Sequence, residues 1–245
     1  LSPQKESRTD VQFHLAALRG DAARLRQLLD TGKVHIDSRD RDGTTPLILA
    51  AAMGHAECVR ELLAQGADPA CARTVKNILL PRKDGGTPLF VSCQCGHQPV
   101  VELLLARGAD VNACMKDGAT PLFIASQNGH EEVCALLLSH GAAVDSRRND
   151  RATALWIAAQ CGHDHVVRLL LAHRANVDQV RQDGAVPLFI ASQNGHEEVC
   201  ALLLSHGAAV DACRCGSRRS ADTTMSLDYC SHRANVDQVR QVRNA

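Results

Sequence analysis

The chain has 245 residues, with 27 lysines plus arginines balanced by 27 aspartates plus glutamates, and only six aromatic side chains. That balance leaves no global field to draw the protein to nucleic acid or to an anionic membrane. So few rings exclude a large core built around aromatics, and small and aliphatic residues must supply the burial, as in thin, one-dimensional architectures. Eleven cysteines, an odd number, argue against a disulfide framework and for reduced thiols in an intracellular, cytoplasmic protein. Cys93-x-Cys95 and Cys213-x-Cys215 lack the two-residue gap and second pair of a zinc site, so no metal and no cofactor are expected. No apolar run approaches the ~18 residues of a membrane span. The chain starts at Leu1 and is read as a fragment, with room for an upstream targeting segment.

In chain order, Pro46, Pro88, Pro121, Ala154 and Pro187 mark one recurring step; the last three intervals are 33 residues and the first is 42. Met115 to Arg147 serves as the specimen. Lys116-Asp117-Gly118 predicts a turn, with glycine supplying positive φ. Thr120 is placed to cap a helix whose first position is Pro121, where the missing N–H costs nothing. Leu122 to Gln127 is that helix, ended by Asn128-Gly129. Glu131 to Ser139 is a second helix with an apolar face of Val133, Leu136, Leu137 and Leu138, and Gly141 stops it. Helices this short are marginal alone, so each must stack on the next repeat.

The pattern Asp84-Gly85-Gly86-Thr87-Pro88-Leu89, Gly96-His97, Leu103-Leu104-Leu105 and Gly108-Ala109-Asp110-Val111-Asn112 resembles the ankyrin repeat. The resemblance covers about residues 10 to 213, recurs five times and implies an all-α ankyrin-repeat solenoid of paired short helices with β-turn fingers. Residues 10 to 39 read as an altered first repeat, giving about six in all, with an insertion near residues 73–81 between the second and third. Its Ile78-Leu79-Leu80 is apolar; a tolerated loop insertion is preferred to a partner hook.

The family usually places a histidine after Thr-Pro-Leu; here that place holds Ile48, Phe90, Phe123, Trp156 and Phe189, with His14 in the first repeat. Packing between repeats is the favoured reading of this line, and an exposed aromatic strip gripping a partner the alternative. His55, His97, His130, His163 and His196, each following glycine, recur one repeat apart, too far to share an ion, and are expected to be structural. Asp42, Asp84, Asp117, Asp150 and Asp183 recur in the same way at the turns, so periodicity and not acid/base chemistry explains them. No nucleophilic triad or phosphate loop stands outside the repeats, and no catalytic residue is assigned.

After Cys213 the period vanishes, yet His232 to Gln241 copies His173 to Gln182. Ala154 to Ile157 can be written GCG CTG TGG ATC; read from its second base, this gives Arg-Cys-Gly-Ser. Continued to Ala172 with permitted codons, the shifted frame reproduces Arg214 to Ser231 at all eighteen positions. Residues 213–231 are therefore read as an out-of-frame copy of a seventh repeat, with the original frame resuming at His232. Residues 214–245 are read as disordered or as that remnant, without stable packing. The nucleotide sequence decides it, since codons with no ankyrin reading in the neighbouring frame sink the idea.

The resemblance implies a concave groove lined by finger turns and first-helix ends. Position by position this gives Arg41, Lys83 and Lys116 on turns, then Met53, Asn128 and Asn194 at helix ends, preceded by Gln94, Gln127, Gln160 and Gln193. Such a surface is polar and nearly neutral, suited to a protein or peptide partner read by hydrogen bonds. The expected protein is a monomeric scaffold, or else the substrate-recognition subunit of a larger modifying-enzyme complex. The family also has asparagines that hydroxylases modify, and Asn112 resembles them.

Overall fold

The computed structural model describes residues 7–72 and 86–210. Among these lie twelve α-helices and no strand: α1 (Arg8–Arg19), α2 (Ala22–Asp30), α3 (Pro46–Ala52), α4 (Ala56–Ala64), α5 (Pro88–Cys95), α6 (Gln98–Ala106), α7 (Pro121–Gln127), α8 (Glu131–Ser139), α9 (Ala154–Cys161), α10 (Asp164–Ala172), α11 (Pro187–Gln193) and α12 (Glu197–Ser205). They form consecutive pairs; from α3 onward the first helix of each opens at the Pro-Leu step or its equivalent, whereas α1 starts earlier, at Arg8. The fold is an all-α ankyrin-type solenoid. The insertion near residues 73–81 and the 214–245 tail lie outside the described residues.

The chain divides into two compact units, residues 1–121 with 139–141, and 122–138 with 142–245. In the first unit, α1 packs on α3 and α3 on α5, while α2, α4 and α6 form a second row. In the second, α9 packs on α11 and α10 on α12. Three first helices, α3, α5 and α9, are started by the same local chemistry. The threonine before the first helix accepts a hydrogen bond three residues on: Thr45 from Ile48, Thr87 from Phe90 and Thr153 from Trp156. Proline occupies the first turn of α3, α5 and α11.

Second helices bury two adjacent residues and the two one turn later: Cys58, Val59, Leu62 and Leu63 in α4, and Val166, Val167, Leu170 and Leu171 in α10. In α8 the buried set is Val133, Cys134, Leu137 and Leu138. Leu136, expected in that face, is only half-buried and Cys134 takes its place. The reason is geometric: position 134 shares a face with 137 and 138, which are three and four residues on, whereas 136 is turned away from it.

The line through Ile48, Phe90, Phe123 and Trp156 is buried, so packing between repeats and not an exposed grip accounts for it. Phe189, in the last described pair, is half-buried. The rings are also closed over by arginines in the second unit. The Arg148 guanidinium lies 5.0 Å from the Phe123 centroid and that of Arg181 4.5 Å from the Trp156 ring. Trp156 Nε1 is buried without a hydrogen-bond partner among the described residues.

Candidate functional site

The histidines after glycine are the joints of the stack. They stand at the start of second helices but make no side-chain cap there. Four of them instead reach back one repeat with Nε2–H. His55 donates to Leu18 O and His97 to Ala52 O, both at 3.0 Å. His163 donates to Gln127 O and His196 to Gln160 O, again at 3.0 Å. The rings lie flat against the preceding turn. A Cβ placed on Gly20, Gly54, Gly129 or Gly162 would stand 2.6–2.8 Å from the next histidine ring. His14 makes a related tie in the first repeat, with Nε2 3.1 Å from Ser38 O and 3.2 Å from Thr44 O. The periodic histidines are thus structural, as their spacing implied. Among the described residues no group of three metal-ligating side chains converges.

The finger turns are closed by backbone. Met115 N–H donates to Ala119 O, Arg148 to Ala152 O and Arg181 to Ala185 O, all within 2.9–3.0 Å. The recurring aspartates brace them: Asp117, Asp150 and Asp183 each accept from the N–H two residues on. Asp150 also receives Arg148 and Arg181, and Arg181 reaches Asp183. The Arg148 hydrogen bond is the main reason the Asp150 carboxyl is held down at about 2. Gln182 N–H donates to Asp150 O at 2.9 Å, which ties one fingertip to the next.

Between joints and fingers lie the side chains assigned to the groove. In the first unit Arg41, Met53 and Lys116 are exposed and Gln94 is half-buried. In the second, Gln127 and Gln160 are half-buried while Asn128, Gln193 and Asn194 are exposed. Lys83 lies outside the described residues. Asn194 uses its amide to donate to Gln160 O at 2.8 Å, beside the His196 bond to the same oxygen. That ladder position therefore carries stacking through its backbone while its side chain stays at the surface. Leu18, 38% exposed at the end of α1, was not picked out by sequence.

All eight cysteines among the described residues are free thiols. Burial pushes Cys58 and Cys134 up to about 11, which makes them inert packing groups. Cys95, Cys114 and Cys161 are exposed, and no helix of the described residues is long and apolar enough to cross a membrane.

Stacked helix pairs, Gly-His joints and Asp-braced fingers define a repeat class whose units are protein–protein interaction modules. The family model for ankyrin repeats (3 copies) matches residues 12–73, 70–148 and 142–213, and the chain belongs to the ankyrin-repeat family. It is similar to ankyrin repeat domain-containing protein 29 of Homo sapiens, 50% identical over 68 residues, which is 28% of this chain and 23% of that protein. The Danio rerio protein of the same name is 46% identical over 68 residues with the same coverage. E3 ubiquitin-protein ligase KEG of Arabidopsis thaliana is 39% identical over 56 residues, 23% of this chain and 3% of that protein. The matched stretch is thus under a quarter of the length of these curated relatives.

Proposed function

We propose that the chain is a scaffold that binds a protein or peptide along its finger turns and first-helix ends. One observation carries this. In α9 every residue from Ala154 to Ala159 is buried, and only Gln160 and Cys161 at its end reach the surface. The same holds in α7, where residues 121–126 are buried and exposure begins at Gln127 and Asn128. What these two repeats present to a partner at the ends of α7 and α9 is therefore polar and uncharged. Amides offer a donor and an acceptor each, so they read a partner's backbone and polar side chains without a large desolvation penalty. Arg41 and Lys116 add charge at the fingers of the first unit, which tunes selectivity and encounter more than affinity.

The test is a pull-down with Gln127→Ala, Gln160→Ala and Gln193→Ala combined. These side chains are not in the core, so stability should hold while captured partners fall away. Unchanged partners would remove this surface from the proposal. The alternative, a recognition subunit of a larger modifying-enzyme complex, has only the similarity to a ubiquitin ligase in its favour, and that match is confined to repeats.

A further inference from the structure

One finger of the second unit differs from the other described fingers in charge and in backbone. Residues 39–43, 114–118 and 180–184 each balance their basic and acidic side chains. Residues 147–151 hold Arg147, Arg148 and Arg151, three arginines against the one aspartate Asp150, a net charge of +2. Arg151 also stands, at φ 67°, where the other three fingers have Gly43, Gly118 and Gly184. That left-handed conformation is unfavourable for any residue with a Cβ. Nothing internal accounts for an arginine there. Its guanidinium is exposed and makes no hydrogen bond or ion pair among the described residues.

The rest of this finger is a rigid mount. Arg148 N–H donates to Ala152 O at 2.9 Å and Arg151 N–H to Arg148 O at 2.7 Å. The Arg148 side chain is taken up by Asp150 and by the Phe123 ring. Arg147, exposed, donates to the side-chain oxygen of Gln179 at 2.9 Å, and Gln179 is only 8% exposed. A neutral amide thus fixes the Arg147 guanidinium without cancelling its charge. The acids of this finger and the next are committed elsewhere. Asp145 accepts from the Asn176 N–H and Asp178 from that of Ala209. Asp150 holds Arg148 and Arg181, and Asp183 meets Arg181. Unmatched positive charge therefore remains at Arg147 and Arg151, on the two arms of one braced turn. Arg174 shares the strain, at φ 62°, but lies between His173 and Ala175 with no second arginine in its turn. Strain and unmatched charge coincide only at 147–151 among the described residues.

We propose that the 147–151 finger binds carboxylates in an acidic stretch of the partner protein, with Arg151 as the selecting residue and Arg147 as its support. This rests on the scaffold reading above and names the chemistry of what that scaffold takes. A guanidinium presents its donors in a fixed fork that a carboxylate meets with two hydrogen bonds, which a lysine cannot match. The strained backbone is then retained for binding, as strained residues at recognition sites are. A nucleic acid fits less well. Its binding is built from many phosphate contacts, and here two arginines stand on a chain with no net charge.

The test uses the full chain and an array of short random-sequence peptides, read at low and at physiological salt. Wild type should select peptides richer in aspartate and glutamate than the array as a whole, and more strongly at low salt. The strongest acidic peptide, resynthesised with a fluorophore, should lose about tenfold in affinity on Arg151→Gly and less on Arg147→Ala. Arg174→Gly removes the same strain elsewhere and should leave the affinity unchanged. Urea unfolding separates binding from folding: Arg151→Gly should raise the midpoint while it weakens binding, which a merely structural arginine would not do. Selection without acidic bias, no selection at all, or equal affinity of wild type and Arg151→Gly each overturns the proposal. So does a labelled DNA duplex that binds as tightly and is lost in the same variants. The scaffold reading fails separately, when the triple glutamine variant captures its partners unchanged.

Discussion

Two kinds of left-handed turn recur in every repeat, and they tolerate different residues. At the joint between the paired helices the residue is always glycine: Gly20, Gly54, Gly96, Gly129, Gly162 and Gly195, all with φ of 75–77°. At the finger and after the second helix, glycine is usual but not required. Arg151 stands at the place of Gly43, Gly118 and Gly184 with φ 67°, and Arg174 at the place of Gly66, Gly108, Gly141 and Gly207 with φ 62°. The difference lies in what surrounds the absent Cβ. At Gly54 or Gly162 a methyl group would run into the histidine ring of the next repeat, at 2.6–2.7 Å. At Gly66, Gly108, Gly141 and Gly207 it would meet nothing within 4 Å. Gly20, Gly54, Gly129 and Gly162 are needed for conformation and for space. Gly195, with no described repeat beyond it, and the turns after the second helices need glycine for conformation alone.

The sharpest way to break this distinction is to add one methyl group at each kind of turn. Gly162→Ala should cost about 3 kcal/mol or more, from left-handed strain and overpacking against His196 together. Gly207→Ala, in the same unit and at φ 86°, should cost only about 1–2 kcal/mol for conformation. Urea unfolding of the two variants measures the gap. Equal losses would mean the histidine yields freely and the joint is not a lock.

The converse changes remove strain. Arg174→Gly should stabilise the chain by up to about 1–2 kcal/mol, because Arg174 is exposed and gives up no buried contact. Arg151→Gly should behave alike. A loss on either substitution would mean that the arginine side chain holds its turn. Val186→Thr should add about 1 kcal/mol, since α11 alone among α3, α5, α9 and α11 starts without a threonine cap. The Phe189 N–H would be the donor, and slowed amide exchange there would report the bond.

Much of this architecture was legible because a repeat states its own alignment. The proline steps placed the starts of α7 and its equivalents, and spacing alone marked the Gly-His pairs as structural. Packing was the favoured reading of Phe90, Phe123 and Trp156, but period alone did not force it, because a residue facing the next repeat and one facing a partner share the same period. Arg148 over Phe123 and Arg181 over Trp156 could not be read at all, since they join turns to helices twenty-five residues earlier in sequence. Nor could the exposure of Val11 and Leu15, since α1 starts earlier than the first helices of the other repeats and no sequence period marks that start.

The smallest expected effect concerns charge at the fingers, where the units again differ in composition. The finger at Lys116-Asp117 in the first unit has no arginine at its opening position, which is Met115, whereas Asp150 is pinned by Arg148 and Arg181. The Asp150 carboxyl sits at about 2, below its ordinary value of 3.8. A carboxylate depressed in the folded state contributes stability above its unfolded pKa, and loses it as pH falls through the folded one. The contribution should therefore be whole above about pH 4 and fade between about pH 4 and pH 2. Asp150→Asn keeps the bond from Ala152 but loses the ion pairs. It should lower stability slightly at neutral pH and converge with wild type as pH approaches 2. Because Asp150 is partly solvated, salt should narrow the neutral-pH gap as well. A gap that stays constant from pH 7 to pH 2 would mean that the finger is held by its backbone turn alone, with the arginines serving only to cover Phe123 and Trp156.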